Sequence, residues 1–444
     1  MIVEEVEKNP EAYNLKVDTL GKCSVESPIH SDAIFVNDDS RVLMSDDAKL
    51  INQYFKDSVT PPSFESAGPR KKIFHDPAWS RAAICTCGGL CPGLNDVIKA
   101  IVQILHFDYK LKNIYGIRYG YRGFIPEYEH SPILLTPEIV DDIHEQGGTI
   151  LGSSRGQQPT EAIVDTLQRM NINMVFCVGG DGTLRAAKEM AEEIKARGQA
   201  ISVVGIPKTI DNDLNFVGRT FGFETAVYEA SRFISLAHNE AKGAVNGVGL
   251  VKLMGRDSGF IAAYTALANS LVNICLIPEL PFILEGKNGL FKALERRFAM
   301  GKDHAVIIVA EGAGQDLIKD EEKEVDASGN VLKKDVGTFL EDKIEEHFKK
   351  IKQECSVKYF DPSYAIRSIP AKGTDAILCY LLAVNAAHAA MAGKTNCVIG
   401  QIGKTFVHVP IALATKERQK LDIHSSVWKG VLDATRQNDY FYGK

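Results

Sequence analysis

No long apolar run, no basic excess and no even set of cysteines is present in this chain of 444 residues. Each absence removes a class. The longest apolar stretches are strand-length and interrupted, which argues against a membrane span. With 51 Lys and Arg against 57 Asp and Glu, the formal net charge is −6. No basic face then offsets phosphate repulsion, which speaks against a general nucleic-acid binder, although local cations could hold small phosphorylated molecules. The opening Met1-Ile2-Val3-Glu4-Glu5 is acidic and lacks the apolar core of a secretion signal. Nine cysteines is an odd number, and most lie in apolar runs such as Phe176-Cys177-Val178. The expectation is buried thiols in a reducing cytoplasm. Cys85, Cys87 and Cys91 are spaced C-x-C-x3-C, which is no zinc-ribbon or finger pattern. Short repeats and low-complexity tracts are missing too.

What is present is a chain of strands ending in glycine-rich turns. Met174–Val178 reads as a buried strand, Gly179-Gly180-Asp181-Gly182-Thr183 as a turn, and Leu184–Ala196 as a helix. Backbone N–H groups left open at such a helix start, together with the helix dipole, attract phosphate. Asp181 would repel phosphate unless a cation such as Mg²⁺ stands between them. The turn therefore points to a phosphate–metal complex and to phosphoryl transfer; the plain alternative is a tight turn with an exposed acid.

The same pattern recurs along the chain. Strands are predicted at Ala82–Cys87, Ile114–Ile117, Ile150-Leu151 and Ile201–Ile206, with a helix over Leu94–His106. A second series runs through Gly247–Leu253, Ile274–Ile277 and Ala305–Ala310, then a long apolar helix Gly373–Ala392 and closing strands Cys397–Ile402 and Phe406–Val409. Alternating strands and helices predict an α/β fold of two doubly wound, Rossmann-like lobes. The expected division is an N-terminal extension over 1–80, a donor-binding domain over 81–245, an acceptor-binding domain over 246–410 and a C-terminal helical segment over 411–444. Asp316–Asp335, charged and glycine-bearing, reads as an exposed excursion.

Four glycine-rich turns follow these strands, and those at Gly152–Gly156 and Met254–Gly259 carry Arg155 and Arg256. Arginine grips phosphate bidentately and keeps its charge, so convergence on an anionic ligand is expected, although a lone turn arginine is more often solvated. In Pro207-Lys208-Thr209-Ile210-Asp211-Asn212-Asp213 two carboxylates stand two residues apart beside a lysine and a threonine. One can coordinate Mg²⁺ while the other takes the proton of an attacking hydroxyl. A capping turn is the structural alternative.

These segments, in this order, resemble the 6-phosphofructokinases of the plant and kinetoplastid branch. The resemblance rests on Thr86–Asn95, Gly120–Phe124, Leu151–Gly156, Gly179–Thr183, Pro207–Asp213, Lys252–Arg256, Pro278-Glu279 and Tyr359–Arg367, and spans about residues 82 to 410. It implies transfer of a phosphoryl group from Mg-ATP to the 1-hydroxyl of fructose 6-phosphate, as in glycolysis. By the same resemblance, Asp211 is the base, Asp181 binds Mg²⁺, and Asp213 supports the metal or its waters. Thr209 positions the acceptor and Arg256 steadies the transferring group. Met254, Gly255 and Glu279 hold the fructose, while Lys358, Tyr364 and Arg367 hold its 6-phosphate. Gly88, Gly89, Tyr121 and Arg155 line the donor site with Gly180, Gly182 and Thr183. A cytoplasmic, allosteric homo-oligomer, dimer or tetramer, is implied, with no nucleic-acid or membrane partner.

Two positions depart from the bacterial pattern: Gly247 stands where those enzymes carry an arginine offered to the neighbouring subunit, and Tyr364 replaces a histidine. The donor signature is mixed. Gly182 leaves the space in which an aspartate would crowd and repel an α-phosphate, as in ATP users, whereas Lys208 is shared with pyrophosphate users. ATP is the expected donor and pyrophosphate the alternative. Lipid and NAD kinases share the Gly-Gly-Asp-Gly-Thr turn but do not need the Met-Gly-Arg and Tyr-x-x-Arg elements. A binding subunit that kept the fold and lost the chemistry would not need Asp181, Asp211, Asp213 and Arg256 together.

Overall fold

In the computed structural model, residues 2–29, 35–318 and 332–443 are described. Most of the expected excursion, residues 319–331, lies outside them. In chain order the elements that position the site are β1 (Arg41–Leu43), β2 (Ser63–Ser66), β3 (Arg81–Thr86), α1 (Leu94–Gln103), β4 (Asn113–Ile117), β5 (Ile133–Leu134), α2 (Thr160–Arg169), β6 (Met174–Gly179), α3 (Asp181–Ala196) and β7 (Ser202–Pro207). Next come α4 (Phe223–Lys242), β8 (Gly247–Leu253), α5 (Phe260–Ala268), β9 (Ile274–Leu276), α6 (Leu290–Ala299), β10 (His304–Ala310), α7 (Val336–Lys350) and β11 (Ser356–Phe360). The chain closes with α8 (Gly373–Met391), β12 (Cys397–Ile402), β13 (Thr405–Pro410) and α9 (Ser426–Thr435).

The chain forms two units. The first takes residues 1–209, 214–222 and 369–418. Its nine-stranded sheet runs β1-β2-β13-β12-β7-β6-β3-β4-β5, parallel from β12 to β4 and antiparallel at both flanks. Every residue of β6 and β7 is buried, as expected of parallel strands covered on both faces. α1 and α3 present apolar residues at helical spacing, Leu94, Val97, Ile98 and Ile101 on one and Leu184, Ala187, Met190, Ala191 and Ile194 on the other.

The second unit takes residues 210–213, 223–368 and 419–444. Its all-parallel sheet runs β9-β10-β8-β11. The core on one side gathers Val248, Leu250, Ile307 and Val309 from strands with Leu294, Leu340 and Phe348 from α6 and α7.

Several expectations shift. Residues 1–80 are no separate arm, because β1 and β2 extend the first sheet. The stretch 369–410 does not stay with 246–368: β12 pairs with β7, and α8 packs on α1 and β7, so strand pairing returns it to the first unit. Residues 411–444 divide between the units at 418/419. Ile150-Leu151 is a turn, not a strand; its Leu151 carbonyl accepts the N–H of Tyr119 at 2.8 Å. The α8 helix is long and apolar enough to cross a membrane by length and composition, contrary to the reading of the sequence, and 67% of its apolar window is buried within the fold. None of the nine cysteines is in a disulfide; seven are buried, with Cys23 and Cys355 half-buried.

Candidate functional site

In the first unit, β3, β6 and β7 end in register, with Thr86 opposite Val178 and Gly179 opposite Pro207. The loops that leave them therefore emerge side by side at the carboxyl edge of the sheet, where ligands bind in open α/β folds. Side chains sew these loops together. The N–H of Gly88 donates to Ser154 O at 2.9 Å, and Ser153 Oγ donates to Gly88 O at 2.7 Å, which ties the Gly152–Gly156 turn to Gly88-Gly89. Arg155 in that turn is exposed. Lys208 is buried; its Nζ donates to Gly89 O at 2.6 Å and its N–H to Gly179 O at 3.0 Å. One lysine thus joins the loop after β3 to the end of β6. Thr209, half-buried beside it, accepts from Thr220 Oγ1 at 2.7 Å through its carbonyl.

Asp181 is the first residue of the sixteen-residue α3, with Gly180 as its N-cap. Its side chain is 9% exposed. Oδ2 lies 3.0 Å from Arg185 and 3.7 Å from Arg418, whereas Oδ1 is buried with no hydrogen-bond partner among the described residues. A buried oxygen of this kind fits a cation. Those residues offer no cluster of three or more His, Cys, Asp or Glu to hold a metal. Mg²⁺ commonly takes one or two carboxylates and draws its remaining ligands from water and phosphate. Beside Asp181, a Cβ built on Gly182 meets nothing within 4 Å, so space is open there. Thr183 is buried, and Tyr121 is not on the surface of the turn. The Tyr121 hydroxyl, 4% exposed, donates to Thr183 O at 2.8 Å, and burial raises its pKa. Its place is behind the turn, as a fastener, and not in a donor lining.

In the second unit, Leu253 opposite Ala310 and Leu276 opposite Val309 bring the exits of β8, β9 and β10 together. Met254 is half-buried and Gly255 buried at the exit of β8. Arg256 holds φ at 42°, an uncommon backbone state for a side-chain residue. Its N–H donates to Glu311 Oε1 at 2.9 Å. Gly312 closes the arrangement, since a Cβ there would stand 1.7 Å from Arg256 O. Ser258 Oγ donates to Gly255 O at 3.1 Å and reaches Asp211 O at 3.3 Å, which places the Asp211 main chain on this turn. Asn212 sits at φ 51°, the left-handed state that asparagine tolerates, between half-buried Asp211 and buried Asp213. The Asp213 carbonyl accepts from Gln419 N at 2.8 Å.

Glu279, beyond β9, accepts from Gly259 N at 2.9 Å and Leu421 N at 2.8 Å through Oε1. Its Oε2 is buried without a hydrogen-bond partner among the described residues, an acceptor suited to a hydroxyl. Lys252 bridges Asp361 at 2.9 Å and Asp335 at 3.3 Å; burial lowers its pKa, but Asp361 and Tyr359 raise it further, and the net shift is upward. Tyr364 is exposed with the Arg367 guanidinium 4.8 Å over its ring. Lys358 is exposed too, but stands opposite Gly249, midway along the edge strand β11. Leu253 lies four residues on, about 13 Å at strand rise. Lys358 is thus not gathered with Arg256 and Glu279, because its place in β11 is fixed by the pairing with β8. The departure at Gly247 has a local cause: a Cβ there would stand 2.0 Å from Ala241 O, so no arginine fits.

A profile described as Phosphofructokinase matches residues 81–390. The chain belongs to the phosphofructokinase family. It is 49% identical over 438 residues to the ATP-dependent 6-phosphofructokinase of Borreliella burgdorferi, covering 96% of this chain and 97% of that protein. It is 48% identical over 389 residues to ATP-dependent 6-phosphofructokinase 7 of Arabidopsis thaliana, covering 87% and 79% of the two. The fold matches that of a pyrophosphate-dependent phosphofructokinase from Marinobacter aquaeolei with a TM-score of 0.65 at 20% identity, over 80% of this chain and 91% of that one. Membership accounts for both strand-exit clusters. It does not by itself account for Glu311, Arg185 and Arg418, which no local motif announced and which emerge only as contacts of Arg256 and Asp181.

Proposed function

We propose that the chain transfers the γ-phosphoryl group of ATP to the 1-hydroxyl of fructose 6-phosphate, with Mg²⁺, giving fructose 1,6-bisphosphate and ADP. The observation that carries this reading is the Asp181 carboxylate at the start of α3, anchored through one oxygen and bare at the other. Mg²⁺ held there would neutralise donor phosphate charge. Lys208, Arg155 and the open amides of the Gly88-Gly89 and Gly180–Thr183 turns would hold the polyphosphate. Asp211 takes the proton of the 1-hydroxyl as the new O–P bond forms, Thr209 places that hydroxyl, and Arg256 steadies the transferring group. Asp213 supports the metal or its waters. Met254, Gly255 and Glu279 hold the sugar, and Tyr364 with Arg367 its 6-phosphate. The working form is a homo-oligomer.

Gly182 favours ATP, because the open space at its α-carbon admits the rest of a nucleotide beyond the first two phosphates. Lys208 is the feature that favours the second reading, pyrophosphate as donor. Both readings meet in one assay: purified protein with Mg²⁺ and fructose 6-phosphate, offered ATP or pyrophosphate. Turnover with ATP far above that with pyrophosphate is expected, and the reverse would replace the donor. Gly182→Asp sharpens the test, since its Cβ meets no protein atom and the fold should be undisturbed. ATP use should fall far more than pyrophosphate use; an equal fall would remove Gly182 from the donor argument.

A further inference from the structure

The segment 415–418, beyond the family profile and without a role so far, is fixed against the donor turn. Arg418 pairs antiparallel with Leu214, buried Asn215 donates Nδ2 to Glu417 O at 2.6 Å, and Arg185 donates to Thr415 O at 3.3 Å. The same Arg185 lies 3.0 Å from Asp181 Oδ2, and Arg418 stands 3.7 Å from that oxygen. One carboxylate oxygen therefore faces two guanidinium groups. Oδ1, buried and without a hydrogen-bond partner among the described residues, is the oxygen left over.

We propose that Arg418 is a positioning residue for the donor. Together with Arg185 it holds Asp181 by Oδ2, and so fixes the carboxylate with Oδ1 left for a cation. The inference rests on the reading of Asp181 as the metal-binding acid. Its physical basis is simple. Two guanidinium groups on one oxygen restrict how the carboxylate can turn, and they keep their charge at any working pH. Removing such a supporting group weakens metal affinity without removing the ligand itself.

The test is calorimetric titration of the full chain with Mn²⁺·ADP, with Mn²⁺ alone and with fructose 6-phosphate, for the parent, Arg418→Ala, Arg418→Lys and Asp181→Asn. Arg418→Ala should weaken Mn²⁺·ADP roughly tenfold. It should leave fructose 6-phosphate unchanged, and free Mn²⁺ should weaken alongside Mn²⁺·ADP. Arg418→Lys should recover most of the loss. Arg418→Gln, which keeps the aliphatic stem, carries the same expectation should the alanine variant not fold. Parent-like Mn²⁺·ADP affinity in Arg418→Ala, with loss in Asp181→Asn, overturns the role of Arg418 alone. Parent-like affinity in Asp181→Asn overturns the reading of Asp181 as well. An equal loss for all three ligands overturns the proposal in favour of a structural role.

Discussion

The two units solve one problem, holding a single carboxylate with half its capacity unused, by different physical means. In the first, Asp181 is anchored by guanidinium groups from Arg185 and Arg418. In the second, Glu279 is anchored by two backbone N–H groups, from Gly259 and Leu421. Charge anchors place guanidinium groups beside the acid, where the phosphates of a metal–polyphosphate can also be held. Amide anchors add no net charge and leave an acceptor suited to a neutral hydroxyl. The contrast lets each acid be matched to its substrate by the groups that grip it, apart from any motif.

The variants that test this division differ in size. Asp211→Ser should lower kcat by roughly 10²- to 10⁴-fold, the usual worth of a general base, with fructose 6-phosphate affinity retained in equilibrium binding. Turnover near the parent's would take the proton-accepting role from Asp211. Glu279→Gln keeps one oxygen for the two amides but changes what faces the sugar. The KM for fructose 6-phosphate should rise roughly tenfold, the scale of one mismatched hydrogen bond, with the KM for ATP unmoved. A rise in both would mean that amide-held and charge-held acids do not divide the substrates. Gly312→Ala pushes a methyl against Arg256 O and should lower stability by about 1–3 kcal/mol in denaturant melts, with kcat falling beside it.

The last effect is one of pH, and it belongs to the first unit. There His75 and His388 are buried, and burial holds their pKa values near about 4 and about 3, below the ordinary 6.5. The unfolded chain therefore binds more protons as pH falls below 6.5. Stability is full above that value, declines towards about 4 and 3, and levels off beneath both. At pH 5.5 each histidine should have withdrawn about 1.4 kcal/mol. In the second unit, His238, His304 and His347 are partly exposed. Hydrogen exchange at pH 7 and 5.5 should show the first unit loosening before the second, and His75→Asn should blunt the difference. Equal loosening would remove the buried histidines as its source.

The sequence announces what local backbone chemistry dictates. Gly179–Thr183 is legible because a strand exit, a turn and a helix start lie within five residues, and Lys208–Asp213 because its charges are adjacent. Contacts made by distant residues are not legible in this way. Nothing near residue 418 indicates that it stands at Asp181, and nothing near Glu311 indicates that it accepts from Arg256. Tyr121 shares a motif with donor residues, yet its hydroxyl is directed inward by the packing of α3. Lys358 shares a motif with Arg367, but the register of β11 against β8 keeps it midway along its strand. The return of residues 369–410 to the first unit is invisible for the same reason, since β12 finds β7 by hydrogen bonds that no short pattern encodes.

That return has a consequence for biogenesis. β12 pairs with β7 across some 190 intervening residues, so a nascent chain carries the open edge of β7 on the ribosome until nearly the whole protein has emerged. An uncovered parallel strand is a template for wrong partners. A chain that stops short of Cys397 should leave that edge bare and aggregate, even with every glycine-rich turn in place.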